Sequence, residues 1–222
     1  MQRLHFFAGI GSLFSARAVS AVMLSVVGLM LTFNAQAQIS WGMGCRYALP
    51  EFQNATQRSE YVMWTTFREL AYRYMEALPA EPDPTIVMPV QGVRVRQVAD
   101  TFGAPRPGGR IHEGQDVFAP RGTSMYSATY GYVLGTATTV IGGNIVYILG
   151  AGGRRYYYAH LDRIAEGLEP GTYVTPNTLI GTVGNTGNAI TTPPHLHFGI
   201  YYGTEQTCNG RVIDPLPLMV DR

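Results

Sequence analysis

Four histidines and one aspartate, in three short segments of the chain, are the residues best suited to chemistry. His112 and Asp116 are four positions apart, His160 follows a run of tyrosines, and His195 and His197 are two positions apart. Imidazole is the commonest protein ligand for zinc, and carboxylates bind zinc as well. Because these residue types occur in short patterned segments, the sequence predicts a metal site.

The segment around His195 and His197 favours convergence on one site. Side chains two positions apart on a β-strand leave the same face of the sheet, while the residues between them leave the other. Both imidazoles would then point to one site, and Leu196 and Phe198 would enter the core. A solvent-facing pair on an amphipathic strand is the alternative, and the segment alone does not decide between the two.

His160 ends a predicted strand that begins near Arg154. The same period of two places Tyr156, Tyr158 and His160 on one face of that strand. By itself, this histidine is as compatible with packing as with catalysis.

The segment from His112 to Asp116 has helical spacing but no helical context. Gly114 lies within it and residues 105–109, which include two prolines and two glycines, precede it, so we predict a loop that enters a strand. The helical zinc motif HExxH, with Glu113 as the base, is the alternative, but an aspartate replaces its second histidine. Two histidines and one aspartate would leave one zinc position open, as in catalytic sites.

Short strands punctuated by glycine must position these residues, which predicts a mainly β fold class built on a small antiparallel β-sheet domain. The predicted strands are Ile86–Val90, Gly131–Ile141, Asn144–Leu149, Arg154–His160, Leu179–Val183 and His195–Tyr202. Gly142-Gly143 predicts a two-residue hairpin turn, and residues 150–153 close the next hairpin. At least three strands therefore form an antiparallel meander.

An amphipathic helix is predicted before this domain, from Pro50 to Leu78. Its apolar face repeats at three- and four-residue steps and comprises Tyr61, Trp64, Phe67, Ala71, Tyr74 and Leu78. The proline-rich residues 79–84 end the helix and form a stiff linker, which places a domain boundary near residue 85. We expect the helix to pack against the β-domain; a position over the active site, where it would restrain activity, is the alternative.

The first 37 residues have the pattern of an export signal. Two basic residues, Arg3 and Arg17, come first, and an apolar run follows from Ala18 to Phe33. Ala35-Gln36-Ala37 then matches the small-x-small pattern of a signal-peptidase cleavage site. An uncleaved anchor is the alternative, but the run is shorter than the roughly 20 residues a membrane span needs. We predict a signal peptide at 1–37 and an exported mature chain.

Cys45 and Cys208 are the two cysteines of the chain. Both lie in the mature part, and an oxidising compartment favours a disulfide between them. Two buried thiols or a cysteine metal ligand are the alternatives, although neither cysteine has a neighbour typical of a metal motif.

Charge excludes one class of partner. The formal net charge is +1, and the chain contains no lysine. Nucleic-acid binding depends on clustered positive charge, so the composition offers no basis for it.

Together these motifs resemble peptidase family M23, the lysostaphin-type or LytM-type peptidoglycan endopeptidases, whose signature is HxxxD, then xHL, then HxH. The resemblance covers residues 86–218 and rests on residues 112–116, 120–123, 131–133, 158–161, 181–187 and 194–198. It implies a LytM-like fold with a central groove. It also implies that His112, Asp116 and His197 bind Zn²⁺, while His160 and His195 stay unligated and act on the attacking water.

The resemblance further implies that the substrate is a peptide stem or cross-bridge of peptidoglycan. Leu149-Gly150 stands where many relatives have His-Gly, and Gly199 where many have glutamate, so these departures affect the substrate rather than the metal. A non-enzymatic relative that activates cell-wall amidases is one alternative, but such proteins lack motif residues that are all present here. A zinc peptidase with a non-wall substrate is another. No wall-binding module is visible, which favours a Gram-negative periplasm over an extracellular location.

Overall fold

The computed structural model describes residues 66–202 and 211–222, except Arg68. The helix, α1, comprises residues 66, 67 and 69–75. The strands in the described residues are β1 (Ile86–Val87), β2 (Pro105–Arg106), β3 (Arg110–Ile111), β4 (Gln115–Phe118), β5 (Ser124–Tyr126), β6 (Gly131–Thr139), β7 (Gly143–Gly150), β8 (Arg155–Ile164), β9 (Tyr173–Val174), β10 (Leu179–Val183), β11 (His195–Tyr202), β12 (Arg211–Ile213) and β13 (Met219–Val220). Single-turn 3-10 helices span Val95–Gln97, Pro107–Gly109, Ala151–Gly153, Gly187–Ala189 and Leu216–Leu218.

Nine of the described strands form one antiparallel sheet, which confirms the mainly β fold class. Its continuous order is β12-β11-β8-β7-β6-β9, with β4 paired to β11 and β10 paired to both β5 and β8. The predicted meander is present as β6, β7 and β8. β1 pairs with β13 in parallel, so the start of the domain lies beside its end.

Alternation along the central strands separates a core face from a site face. On β8, Tyr156 and Tyr158 are fully buried, and on β11 so are Leu196 and Phe198. These four residues belong to the main hydrophobic cluster of the domain. Each large apolar side chain buried in this way contributes roughly 1.5–3 kcal/mol relative to exposure. Burial of these side chains in the core therefore determines which residues of β8 and β11 lie on the opposite face of the sheet.

The turn between β6 and β7 differs from the predicted two-residue Gly142-Gly143 turn. Thr139 pairs with Gly143, so the turn has three residues, 140–142, and Gly143 closes it with a φ of 64°. Three-residue hairpins commonly end on a residue with positive φ, which glycine adopts without a Cβ penalty. A Cβ at Gly143 would also overlap Thr186 and Gly187. The glycine thus lets the loop before β11 approach the hairpin.

α1 packs the predicted apolar face onto the sheet. Phe67 and Ala71 are buried in a small cluster with Leu134 and Leu149. The Phe67 ring occupies the space above Gly135, where any Cβ would overlap it. These contacts agree with the packing role expected of the helix.

The proline-rich segment is held along the surface of the β-domain. Thr129 Oγ1 donates to Asp83 Oδ2 at 2.6 Å, and Arg154 Nη1 donates to the Asp83 carbonyl oxygen at 2.7 Å. The backbone N–H of Gly152 donates to the carbonyl oxygen of Pro79 at 2.8 Å. The linker therefore follows a defined path from α1 to β1.

Several predictions fall outside the described residues. These are the signal peptide at 1–37, the helix residues 50–65 and the pairing of Cys45 with Cys208. Where the chain is described, it includes no helix of the length and apolarity needed to cross a membrane.

Candidate metal centre

Strand register brings Asp116 and His197 together. In the antiparallel pair of β4 and β11, His197 lies directly opposite Asp116, and His195 opposite Phe118. Directly opposed residues have their side chains on the same face within contact distance. The prediction that His195 and His197 share one face, with Leu196 in the core, is confirmed.

A loop that enters β4 supplies His112, as the sequence predicted. The backbone N–H of His112 donates to the Ala104 carbonyl at 2.9 Å, and that of Gly103 donates to the His112 carbonyl at 2.8 Å. The ring Nδ1 lies 2.7 Å from the carbonyl oxygen of Thr101. A carbonyl oxygen only accepts, so Nδ1 must donate, and Nε2 of the neutral ring presents a lone pair. This hydrogen bond fixes both the tautomer and the direction of the ring.

Three lone-pair atoms converge from His112, Asp116 and His197. Nε2 of His112 is 3.0 Å from Oδ1 of Asp116 and 2.8 Å from Nδ1 of His197. Nδ1 of His197 is 3.2 Å from the same Oδ1. Tetrahedral zinc with ligands at about 2.0–2.1 Å would separate its ligand atoms by roughly 3.3 Å. The three separations between these atoms, 2.8 to 3.2 Å, are close to that value. A cation between the three atoms would offset the repulsion between their lone pairs, so His112, Asp116 and His197 fit a zinc ion.

Asp116 is kept ionised by its surroundings. Burial acts to raise the pKa of its carboxyl, but hydrogen bonds from His112 and His197, in the tautomers that carry a proton on the facing nitrogen, and from Arg106 hold that pKa well below its usual range. When both facing nitrogens present lone pairs, the hydrogen bond from Arg106 remains. The carboxylate form is the one that binds a metal. The electrostatics of the site therefore favour the ligand form of Asp116.

His160 and His195 lie beside the three candidate ligand atoms, with their ring centroids 5.0 Å apart. Nδ1 of His160 donates to the Thr186 carbonyl at 2.9 Å, and Nδ1 of His195 donates to the Pro193 carbonyl at 2.8 Å. Both acceptors belong to the loop 185–194, so this loop orients both rings. Nε2 of each ring is left as the functional nitrogen, and that of His195 lies 3.8 Å from Asp116 Oδ1.

Burial is the main reason that the pKa of the His160 imidazole is lowered to about 4, and the charge interaction with the nearby His195 lowers it further. The ring is therefore neutral at neutral pH and can accept a proton at Nε2. The lone pair at Nε2 is therefore available to accept a hydrogen bond or a proton, although a pKa this low makes the imidazole a weak base.

His160 does not share a face with Tyr156 and Tyr158, and that prediction is wrong. Tyr158 pairs with Val146 but Leu161 pairs with Asn144, so β8 has one more residue than β7 between these pairs. His160 itself has a φ of 64°, the one positive value among described non-glycine residues. The bulge turns its ring out of the core and toward His195. An irregular backbone of this kind leaves no trace in a period-of-two pattern.

Gln115 is a positioning residue that the sequence analysis missed. Its Oε1 accepts from the N–H and Oγ1 of Thr101 at 2.9 and 3.1 Å, and its Nε2 donates to Asp100 and Asp214 at 2.9 and 3.0 Å. The side chain is fully buried; three of these bonds hold residues 100–101, whose Thr101 carbonyl orients His112, and the fourth ties the side chain to Asp214. A glutamine at a core-facing position next to Asp116 was the available signal.

Gly114 and Arg106 were also missed. A Cβ at Gly114 would lie 2.9 Å from Cε1 of His197, so only glycine leaves room for that ring. Arg106 Nη2 donates to Asp116 Oδ2 at 2.6 Å. Both contacts depend on tertiary proximity, and neither residue stands out in the sequence.

Comparison with known proteins places this site in a family. Residues 110–215 match the model of Peptidase family M23, and the match includes all five predicted site residues. Residues 110–215 form a domain of peptidase family M23. In this M23 domain, the mainly β fold agrees with the expectation from the sequence motifs.

Two curated relatives are endopeptidases by name. This chain is 38% identical over 118 residues to the L-Ala--D-Glu endopeptidase of Bacillus subtilis (strain 168), covering 50% of this chain and 35% of the relative. It is 36% identical over 89 residues to the peptidoglycan DD-endopeptidase ShyC of Vibrio cholerae, covering 40% of this chain and 20% of the relative. The chain thus spans about a third or less of the length of these relatives.

Solved structures agree on the fold. A structure described as a putative peptidase M23 from Pseudomonas aeruginosa is 25% identical, has a TM-score of 0.52, and covers 75% of this chain and 61% of its own. A structure described as a putative glycyl-glycine endopeptidase lytM from Ruminococcus gnavus has a TM-score of 0.50 at 23% identity, covering 78% of this chain and 77% of its own. The second likeness shows the fold alone.

Proposed function

We propose that this chain is a zinc-dependent endopeptidase that hydrolyses peptide cross-links in bacterial peptidoglycan. The main support is the convergence of His112 Nε2, Asp116 Oδ1 and His197 Nδ1 within 3.2 Å of one another. The M23 domain and the two relatives named as endopeptidases add to it. His112, Asp116 and His197 would hold the metal, and three protein ligands would leave a position for substrate and water.

A zinc ion held by His112, Asp116 and His197 would supply Lewis-acid chemistry for the scissile carbonyl and the attacking water. His160, neutral and with Nδ1 bound to Thr186, accepts a proton at Nε2. His195, oriented by Pro193, faces the same space and orients the water or stabilises the developing oxyanion. Because one loop fixes both rings, the two histidines are pre-organised before substrate binds.

The domain organisation follows the same proposal. Residues 1–37 act as a signal peptide, residues 38–84 form the helical extension and linker, and residues 85–222 form the peptidase domain. Export places the domain where peptidoglycan is found, and we favour the periplasm.

Catalysis is preferred over a non-enzymatic role in activating amidases. All five motif residues are present: His112, Asp116 and His197 form one cluster, and His160 and His195 are buried beside it. A purely binding domain has no need to keep three metal-ligand atoms and two oriented imidazoles together. A zinc peptidase that acts on a non-wall peptide would have the same site, so only the identity of the substrate distinguishes it from the proposed function.

The test uses the mature chain, residues 38–222, beside an Asp116→Ala variant. Zinc content is measured first, and purified peptidoglycan is then incubated with each protein and the released fragments identified by mass spectrometry. We expect about one zinc per wild-type chain and cleaved cross-links that the variant does not release. Zinc without cleavage of peptidoglycan would contradict the proposed substrate, and absence of both would favour the binding role.

A further inference from the structure

The two carboxylate oxygens of Asp116 have different neighbours: Arg106 contacts one oxygen, and the candidate ligands His112 and His197 contact the other. Nη2 of Arg106 donates to Oδ2 at 2.6 Å, while Oδ1 faces His112 and His197 at 3.0 and 3.2 Å. The side chain of Asp116 is 9% exposed and that of Arg106 is 38% exposed. Arg106 therefore forms the boundary between the buried metal ligands and solvent.

Most N–H groups of the Arg106 guanidinium are not used by its hydrogen bond to Asp116. Arginine presents five N–H groups in a planar fork that matches a carboxylate in two-point geometry. Within the described part of the chain, Arg106 makes one hydrogen bond, to Asp116. Because the side chain is partly exposed, further N–H groups of the fork can reach a molecule bound at the metal site.

The charge balance of the site favours an anion. With zinc bound, the metal and Arg106 bring three positive charges against one negative charge from Asp116. Asp100 and Asp214 keep their negative charges, but they accept from the buried amide of Gln115 rather than from Arg106 or the three ligand atoms. In a partly buried site, such an excess attracts negatively charged ligands more strongly than it would in water.

We propose that Arg106 binds a carboxylate of the substrate peptide beside the scissile bond. This inference rests on the proposed function and narrows its substrate class to peptides with a free carboxylate near that bond. Arginine–carboxylate pairs are charge-assisted and directional, so they suit recognition next to a reacting centre. Arg106 would thus be a specificity residue as well as a support for Asp116.

The experiment must separate these two roles of Arg106. A cross-linked stem-peptide fragment with free carboxylates is compared with the same fragment after conversion of those groups to carboxamides. For each zinc-loaded protein, the ratio of kcat/KM for the two fragments is measured. Weaker zinc binding in a variant lowers both values equally, so the ratio reports on carboxylate recognition alone.

The variants are Arg106→Gln and Arg106→Lys, with Arg110→Gln as the charge-matched control. Arg110 pairs with Arg106 across the β2–β3 hairpin, so its replacement removes the same charge from the neighbouring strand. We expect the wild type and Arg110→Gln to prefer the free carboxylate by about 10-fold or more, as for a charge-assisted hydrogen bond. The ratio should approach 1 in Arg106→Gln and lie between these values in Arg106→Lys.

Two results would overturn the inference in distinguishable ways. If the wild type cleaves both fragments with equal kcat/KM, or Arg106→Gln keeps the preference, Arg106 does not read a carboxylate although the proposed function stands. If the zinc-loaded wild type cleaves neither fragment, the proposed function fails and the substrate assignment fails with it.

Discussion

Replacing Gly114 by alanine would test how closely the metal ligands are packed. A Cβ at this position would lie 2.6 Å from the carbonyl oxygen of Phe198 and 2.9 Å from Cε1 of His197. The φ of Gly114 is not in the left-handed region, so alanine meets no backbone strain there. Any effect of the substitution therefore comes from the displaced neighbours.

The size of the displacement follows from ordinary contact distances. Carbon atoms pack at about 3.5–4.0 Å, so a contact of 2.9 Å requires a shift of roughly 0.6 Å. Functional sites must be held within about 0.5 Å of their working geometry. Changes to groups that orient metal ligands cost about 10–100-fold in metal affinity, and we expect a loss of that order in Gly114→Ala.

The assay is competition for zinc against a chromophoric chelator, with Gly199→Ala as the matched control. Gly199 is on β11, two residues after His197, and its added Cβ would lie 3.0 Å from the edge of the Tyr201 ring and 3.2 Å from the carbonyl oxygen of Glu113. The Tyr201 ring can rotate away, and both contacts are longer than the 2.6 and 2.9 Å contacts at Gly114, so this variant should bind zinc more like the wild type. Wild-type zinc affinity in Gly114→Ala, with an unchanged unfolding temperature, would refute the reasoning.

Three further predictions concern catalysis, packing and the cysteines. His160→Ala and His195→Ala should each keep bound zinc but lower kcat/KM by about 10²–10⁴-fold, because each removes an oriented proton-transfer or hydrogen-bonding group; loss of zinc in either variant would show that its ring is a ligand. Phe67→Ala should lower the free energy of unfolding by about 3 kcal/mol in urea titrations, because it empties the space above the sheet that the ring fills; unchanged stability would contradict the packing of α1. The mature chain, denatured without reductant, should show no reactive thiol, and two titratable thiols would exclude a bond between Cys45 and Cys208.

The main features of the fold and the site can be predicted from the sequence because they depend on local patterns. The alternation around His195 and His197 is a property of any β-strand, so it places both rings on one face before the partner strand is known. Gly114 and the preceding prolines exclude a helix at His112 for similarly local reasons. The mainly β class and the candidate site residues follow from these patterns, whereas the choice of His112, Asp116 and His197 as the ligands rests on the resemblance to family M23.

Tertiary structure alone decides how those residues become a site. The orientation of His160 depends on a bulge with positive φ, and a pattern of residue types does not record backbone dihedral angles. The tautomer of His112 depends on its hydrogen bond to the carbonyl of Thr101. The orientation of the Asp116 carboxylate depends on the hydrogen bond that Arg106 donates to Oδ2. Such hydrogen bonds join segments that are 10 or more residues apart, and their lengths are set by strand register and packing. The sequence therefore determines which groups are available for chemistry, and the packed fold determines which atom of each group faces the candidate metal site.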